Sequence, residues 1–72
     1  MKTKFNFVYF TKVSAKGTEL RWHCHSAMGK AIIGTVNYNK ECNIHYYLPI
    51  AKTKYTCFNL LDIYNFVDSL DK

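Results

Sequence analysis

Only one stretch of this chain, Phe58 to Leu70, carries an apolar period of about 3.6 residues. At about 100° per residue Leu60, Ile63, Tyr64, Val67 and Leu70 fall in one stripe. Asp62, Asn65, Asp68 and Ser69 fall opposite, and Leu61 and Phe66 join neither group. Asn59 is the expected N-cap, with Leu60 at N1, Asp62 at N3 beside the positive end of the dipole, and a staple between Phe58 and Ile63. A helix of this length spans about 16 Å and does not persist alone in water. It must dock on what the preceding residues build.

Those residues read as strands. Lys4 to Val13 is a β-rich run that is apolar on both sides, Phe5, Phe7 and Tyr9 alternating with Asn6, Val8 and Phe10. Ser14-Ala15-Lys16-Gly17 is a hairpin connection with Gly17 at the left-handed position. Thr18 to Ala27 alternates Leu20, Trp22 and Cys24 against Arg21, His23 and His25. After the break at Ser26 to Lys30, Ala31 to Tyr38 directs Ile32, Gly34, Val36 and Tyr38 to one face and Ile33, Thr35 and Asn37 to the other. Gly34 marks a bulge or a close approach by the helix. Asn39 to Glu41 turns the chain into Cys42 to Ile50, where Cys42, Ile44, Tyr46, Leu48 and Ile50 oppose Asn43, His45 and Tyr47. Pro49 places this strand at an edge or its end at a terminus. Ala51 to Cys57 is a basic crossing to the helix.

Short connections favour antiparallel pairing in chain order. The expected architecture is therefore a single α+β domain over residues 1–72: a meander of about four strands with the C-terminal helix packed on one face. The faces do not balance. One collects Phe5, Phe7, Tyr9, Leu20, Trp22, Ile32, Val36, Tyr38, Ile44, Tyr46 and Leu48, more than one short helix can cover. The other mixes Val8, Phe10, Ile33 and Tyr47 with Lys12, Arg21, His23, His25, Asn43 and His45. Either the sheet curls on itself or this second face meets another molecule.

A chain of 72 residues buries only about 60% of its unfolded surface, so dense packing has to supply its stability. Five Phe, six Tyr and one Trp provide the bulk, and a carved catalytic pocket would compete with them. Cys24, Cys42 and Cys57 are an odd set with no secretory h-region after Met1, which leads to an expectation of reduced thiols, a cytoplasmic location and no membrane partner. Residues 1–54 hold nine basic and two acidic side chains, and residues 55–72 hold one and three, within a net charge of +5. The body is basic and the helix end acidic, which favours an anionic or acidic partner.

The chemistry-bearing residues do not converge. His23, Cys24, His25, Cys42 and His45 include zinc-ligand types, but on strands Cys24 points away from its two histidines, and Cys42 and His45 diverge. No metal or other cofactor is expected. Cys57 precedes a helix N-terminus without a histidine placed beside it, and Gly29-Lys30 lacks the other elements of a phosphate-binding loop. No enzymatic activity is expected.

Two binding readings remain. A single-strand or RNA-binding sheet could use Phe10 and Tyr47 for stacking beside Lys12, Arg21 and the histidines, although the chain has one arginine and no RNP-like or GxxG pattern. A protein-binding module needs only an aromatic, charge-rimmed patch, and its partner would be another protein or a second copy in a homodimer. Its contact residues would be Phe10, Arg21, His23, His25, His45 and Tyr47 on the second face, with Leu61 and Phe66 on the helix flank. Protonation of the three histidines would tighten binding to an anionic partner as the pH falls. In size, intracellular character and composition the chain is similar to small phage-encoded inhibitors of host defence enzymes, anti-CRISPR and anti-restriction proteins among them, and no residue motif carries that likeness. Protein binding is the preferred expectation, with inhibition of a host protein as its specific form.

Overall fold

The computed structural model describes residues 1–14, 17–50 and 52–72. Four strands, β1 (Val8–Lys12), β2 (Leu20–Ser26), β3 (Ile32–Asn39) and β4 (Ile44–Pro49), precede one helix, α1 (Cys57–Leu70). The sheet runs β1-β2-β3-β4, every neighbouring pair antiparallel. This is the α+β meander with a C-terminal helix that the sequence predicts. Ala15, Lys16 and Ala51 lie outside the described residues, and with them part of the expected hairpin and crossing. Gly17 adopts the left-handed backbone foreseen for it, at φ 78°.

The helix begins earlier than expected. Thr56, not Asn59, is the N-cap: its Oγ1 accepts the Asn59 N–H at 3.2 Å, and Asn59 Oδ1 accepts the Thr56 N–H at 2.9 Å. This reciprocal box makes Asn59 the N3 residue and extends the helix to 14 residues. The sheet-facing stripe also differs from the expected one. Ile63 and Phe66 are buried, with Val67 and Leu70 packed beside them, while Leu60 and Tyr64 turn to solvent. Phe58 is no staple for Ile63; it is exposed and stacks on Phe7 at 5.2 Å.

Facing α1, the core consists of Val8, Phe10, Cys24 and Val36, with Phe5, Trp22, Ile33, Tyr47 and Tyr55 around it. Trp22 and Cys24 point inward as their alternation predicts, but the phases of β1 and β4 are reversed. Val8 and Phe10 face the helix instead of Tyr9, and Tyr47 instead of Tyr46 and Leu48. The register explains the reversal: Phe10 lies opposite Cys24, and Tyr47 opposite Val36. A run that is apolar on both sides has no phase of its own and takes that of its partner strand. Two bulges complete the correction. An extra residue in β2 at Arg21 takes Leu20 off the inner face, and one in β3 at Ile33 lets Ile33 pack on the core while Ile32 stays exposed. Cys42 belongs to the turn before β4, and Asn43 there has φ 54°.

Both sheet edges are partly covered. Residues before Val8 do not extend β1 but fold back along it, so that the Phe10 N–H donates to Thr3 O and the Phe5 N–H to Val8 O, both at 2.9 Å. Phe5 thereby enters the core edge-on to Phe10 and Phe66. On β4 the outward N–H of His45 is taken by the Asp71 carboxylate at 3.1 Å, and Pro49 has no N–H to offer. No helix among the described residues is long and apolar enough to cross a membrane.

Gly34 serves a close approach, though the approaching group is Tyr47 rather than the helix. A Cβ at Gly34 would lie 2.0 Å from Tyr47 Oη and 2.9 Å from Leu48 O. The Tyr47 ring crosses β3 there so that its hydroxyl meets that of Tyr55 at 2.9 Å, and Tyr55 in turn donates to Ile33 O. Gly34→Ala is therefore expected to lower stability by about 1–3 kcal/mol through overpacking, and Phe66→Ala by about 3–5 kcal/mol through the cavity it leaves. Urea denaturation followed by circular dichroism measures both, and an unchanged midpoint in either variant refutes the packing described.

Candidate functional site

The eight residues expected to meet a partner are dispersed by the fold. Phe10 and Phe66 are core residues, stacked on each other at 3.9 Å and an interplanar angle of 11°; burial removes them from any contact surface. Tyr47 also faces inward, and burial together with the Tyr55 hydroxyl raises its phenol well above the ordinary value. His45 lies on the helix side, 2.6 Å from Asp71 through Nδ1. The three histidines therefore do not share a face. Arg21 is occupied locally, donating through Nη1 to Thr18 O at 2.6 Å, with its guanidinium 5.7 Å from the centre of the Tyr38 ring. His23 and His25 remain on the uncovered face, and Leu61 on the outer arc of α1.

The uncovered face gains Tyr9, Tyr46 and Leu48, which the sequence reading had turned inward. Tyr9 lies parallel to His25, ring centres 4.6 Å apart and planes within 3°. Thr11 Oγ1 meets His25 Nε2 at 2.9 Å, and His25 Nδ1 meets Lys30 O at 3.2 Å, so both ring nitrogens are held. The Tyr46 hydroxyl donates to Glu19, whose carboxylate holds the phenol above its usual value. A phase taken from Cys24 and transferred across the ladder would have found Tyr9, since Tyr9 and His25 are register partners.

A second surface lies where α1 passes β4. A groove of about 400 Å³ is lined by Ile44, Tyr47, Leu60, Ile63, Tyr64 and Val67, with His45, Asp68 and Asp71 at its polar end. This surface exists because α1 buries Ile63 and Phe66 and leaves Leu60 and Tyr64 outward. Carboxylates are largely committed to the fold. Asp62 accepts the Phe7 N–H at 3.1 Å, Asp68 pairs with Lys72 at 2.9 Å, and Asp71 holds His45.

The three thiols differ in exposure. Cys24 is buried, and burial pushes its thiol up to about 11, partly offset by the Tyr47 hydroxyl; such a thiol is a poor nucleophile. Cys42 and Cys57 are exposed and free. Among the described residues no group of three or more His, Cys, Asp or Glu side chains could hold a metal ion. No protein-family model, curated protein or solved structure matches the chain.

Asp71 gives a pH test of the link between α1 and β4. The hydrogen bond from the His45 side chain, aided by the His45 backbone N–H, holds its carboxyl below the ordinary value. A depressed folded-state value contributes stability above the unfolded value, near pH 4, and that contribution is lost as the pH falls through the folded one. Asp71→Asn is expected to melt below the parent at neutral pH, the gap closing as the pH drops below about 4. A gap that persists unchanged in acid overturns the assignment.

Proposed function

We propose that this chain is a non-enzymatic binding module that engages another protein through the outer arc of α1 and the groove beside β4. The observation that carries the reading is the exposure of Leu60, Leu61 and Tyr64, at 53%, 56% and 63%, with Ile44 across the groove at 49%. The solvent arc of a surface helix is normally polar. Clustered large apolar side chains on such an arc mark interaction sites, and tyrosine is among the residues that dominate binding energy at them. Because both sheet edges are partly covered, strand addition is hindered, and docking by faces is favoured.

The non-enzymatic reading is supported by the place of the two most perturbed titratable groups: Cys24 and Tyr47 lie against each other inside the core, away from any substrate. The net charge of +5 steers the chain toward acidic partners over long range, while the docking groove itself carries Asp68 and Asp71 at its polar end. The likeness in size and composition to small phage-encoded inhibitors makes a host defence protein the specific form of that partner.

The double variant Leu61→Asp/Tyr64→Asp is expected to keep the parent's cooperative melt, because both side chains are in solvent. It should lose at least tenfold in affinity for a protein captured by the parent from host lysate, as expected when contacts worth about 1.4 kcal/mol or more are removed. Capture by the parent must survive nuclease treatment. Undiminished capture by the double variant, or capture abolished by nuclease, refutes the proposal.

A further inference from the structure

Away from α1's outer arc, the folded-back N-terminal segment, β1 and the β2–β3 turn border an open surface cavity of about 450 Å³ lined by Lys4, Phe5, Tyr9, Ala27 and Lys30. We propose that it binds a nucleotide of a single-stranded nucleic acid, the base continuing the Tyr9–His25 stack and the phosphate held by Lys4 and Lys30.

The aromatic part is built before any ligand arrives. His25 covers one face of Tyr9 at 4.6 Å, and its own nitrogens are fixed by Thr11 and by Lys30 O. Stacking on such a platform accepts any base, because every base has a π-face. A duplex keeps its base faces covered by neighbouring pairs, so the site selects single strands.

The cationic part is also placed by the fold. Lys30 stands at φ 59°, a left-handed backbone that a non-glycine residue seldom adopts. Its N–H donates to Ser26 O at 2.9 Å and its carbonyl meets His25, so the residue that supplies a charge is tied to the ring that supports the stack. Lys4 is brought to Tyr9 by the bridge between them. Among the described residues the ion pairs are His45–Asp71 and Lys72–Asp68, leaving both ammonium groups without a carboxylate, and no acidic side chain lines the cavity. An unneutralised lysine pair beside a parallel aromatic stack matches a phosphate next to a planar ring better than it matches an acidic peptide, which has charge without the ring.

This surface is separate from the α1 groove, and its test does not depend on a protein partner. Fluorescence anisotropy is read with a fluorescein-labelled 12-nucleotide oligothymidylate, against a blunt duplex of the same length and against free UMP and inorganic pyrophosphate as competitors. The parent is expected to bind the single strand with affinity that falls as salt is added. Tyr9→Ala should weaken it about tenfold, and Tyr9→Phe should restore it. Lys4→Gln/Lys30→Gln should reduce the log–log salt slope by about 0.7, as for the one phosphate that the two lysines share on a single strand. Displacement by UMP supports the site and identifies a free nucleotide as sufficient. Equal binding of duplex, displacement by pyrophosphate as effective as by UMP, no binding at low salt, or an unaltered affinity in Tyr9→Ala with its melt intact each overturns the proposal.

Discussion

The fold depends on the ring of Phe66. It lies flat against Phe10 at 3.9 Å and meets the edges of Trp22 and Phe5 at about right angles. In these contacts the helix, two strands and the folded-back segment share one fully buried side chain. Aromatic pairs in offset or edge geometry add to the area they bury, which matters in a chain too small for a broad core. Phe66 can occupy this position because α1 turns it, with Ile63, toward the sheet, and because Phe10, rather than Tyr9, faces it. The helix phase and the β1 phase are thus one choice made together.

Around this centre the polar groups of the helix act as ties. Near its start, Asp62 accepts the Phe7 N–H and Asn59 Nδ2 reaches Phe7 O, securing the segment that covers β1. Past its end, Asp71 takes the backbone and ring of His45 on β4. The acidic character of the C-terminal residues, which the composition presents as a charge asymmetry, is therefore used within the fold, and the lysines are left to define the field seen from outside.

Much of the architecture was legible in the sequence because it depends on features a single segment carries. Short turns gave strand order, the 3.6-residue period gave the helix, and Trp22-His23-Cys24-His25 alternated as read. What depended on two segments was not legible. Phe5 to Phe10 is apolar on both sides, and only its pairing with β2 selects Val8 and Phe10 for the core. Asn59 stands three residues after Thr56 and three before Asp62, so either pattern reads as a helix start. The choice falls to Thr56 in a structure where Phe7, distant in sequence, engages both Asn59 and Asp62. The candidate surfaces follow the same division: the sequence alone points to Phe10, Tyr47 and Phe66 as contact residues and turns Tyr9, Leu60 and Tyr64 inward, whereas the structure does the reverse.

The partly covered sheet edges have a consequence for how copies of this protein meet one another. A small β-rich chain with an open edge is a template for its own copies, and crowding drives such chains into fibrillar stacks. Here residues 1–7 on one side, and Asp71 with Pro49 on the other, occupy positions from which such growth would start. The positions that remain open on each edge are few, so a second copy finds little free backbone on which to start such a stack.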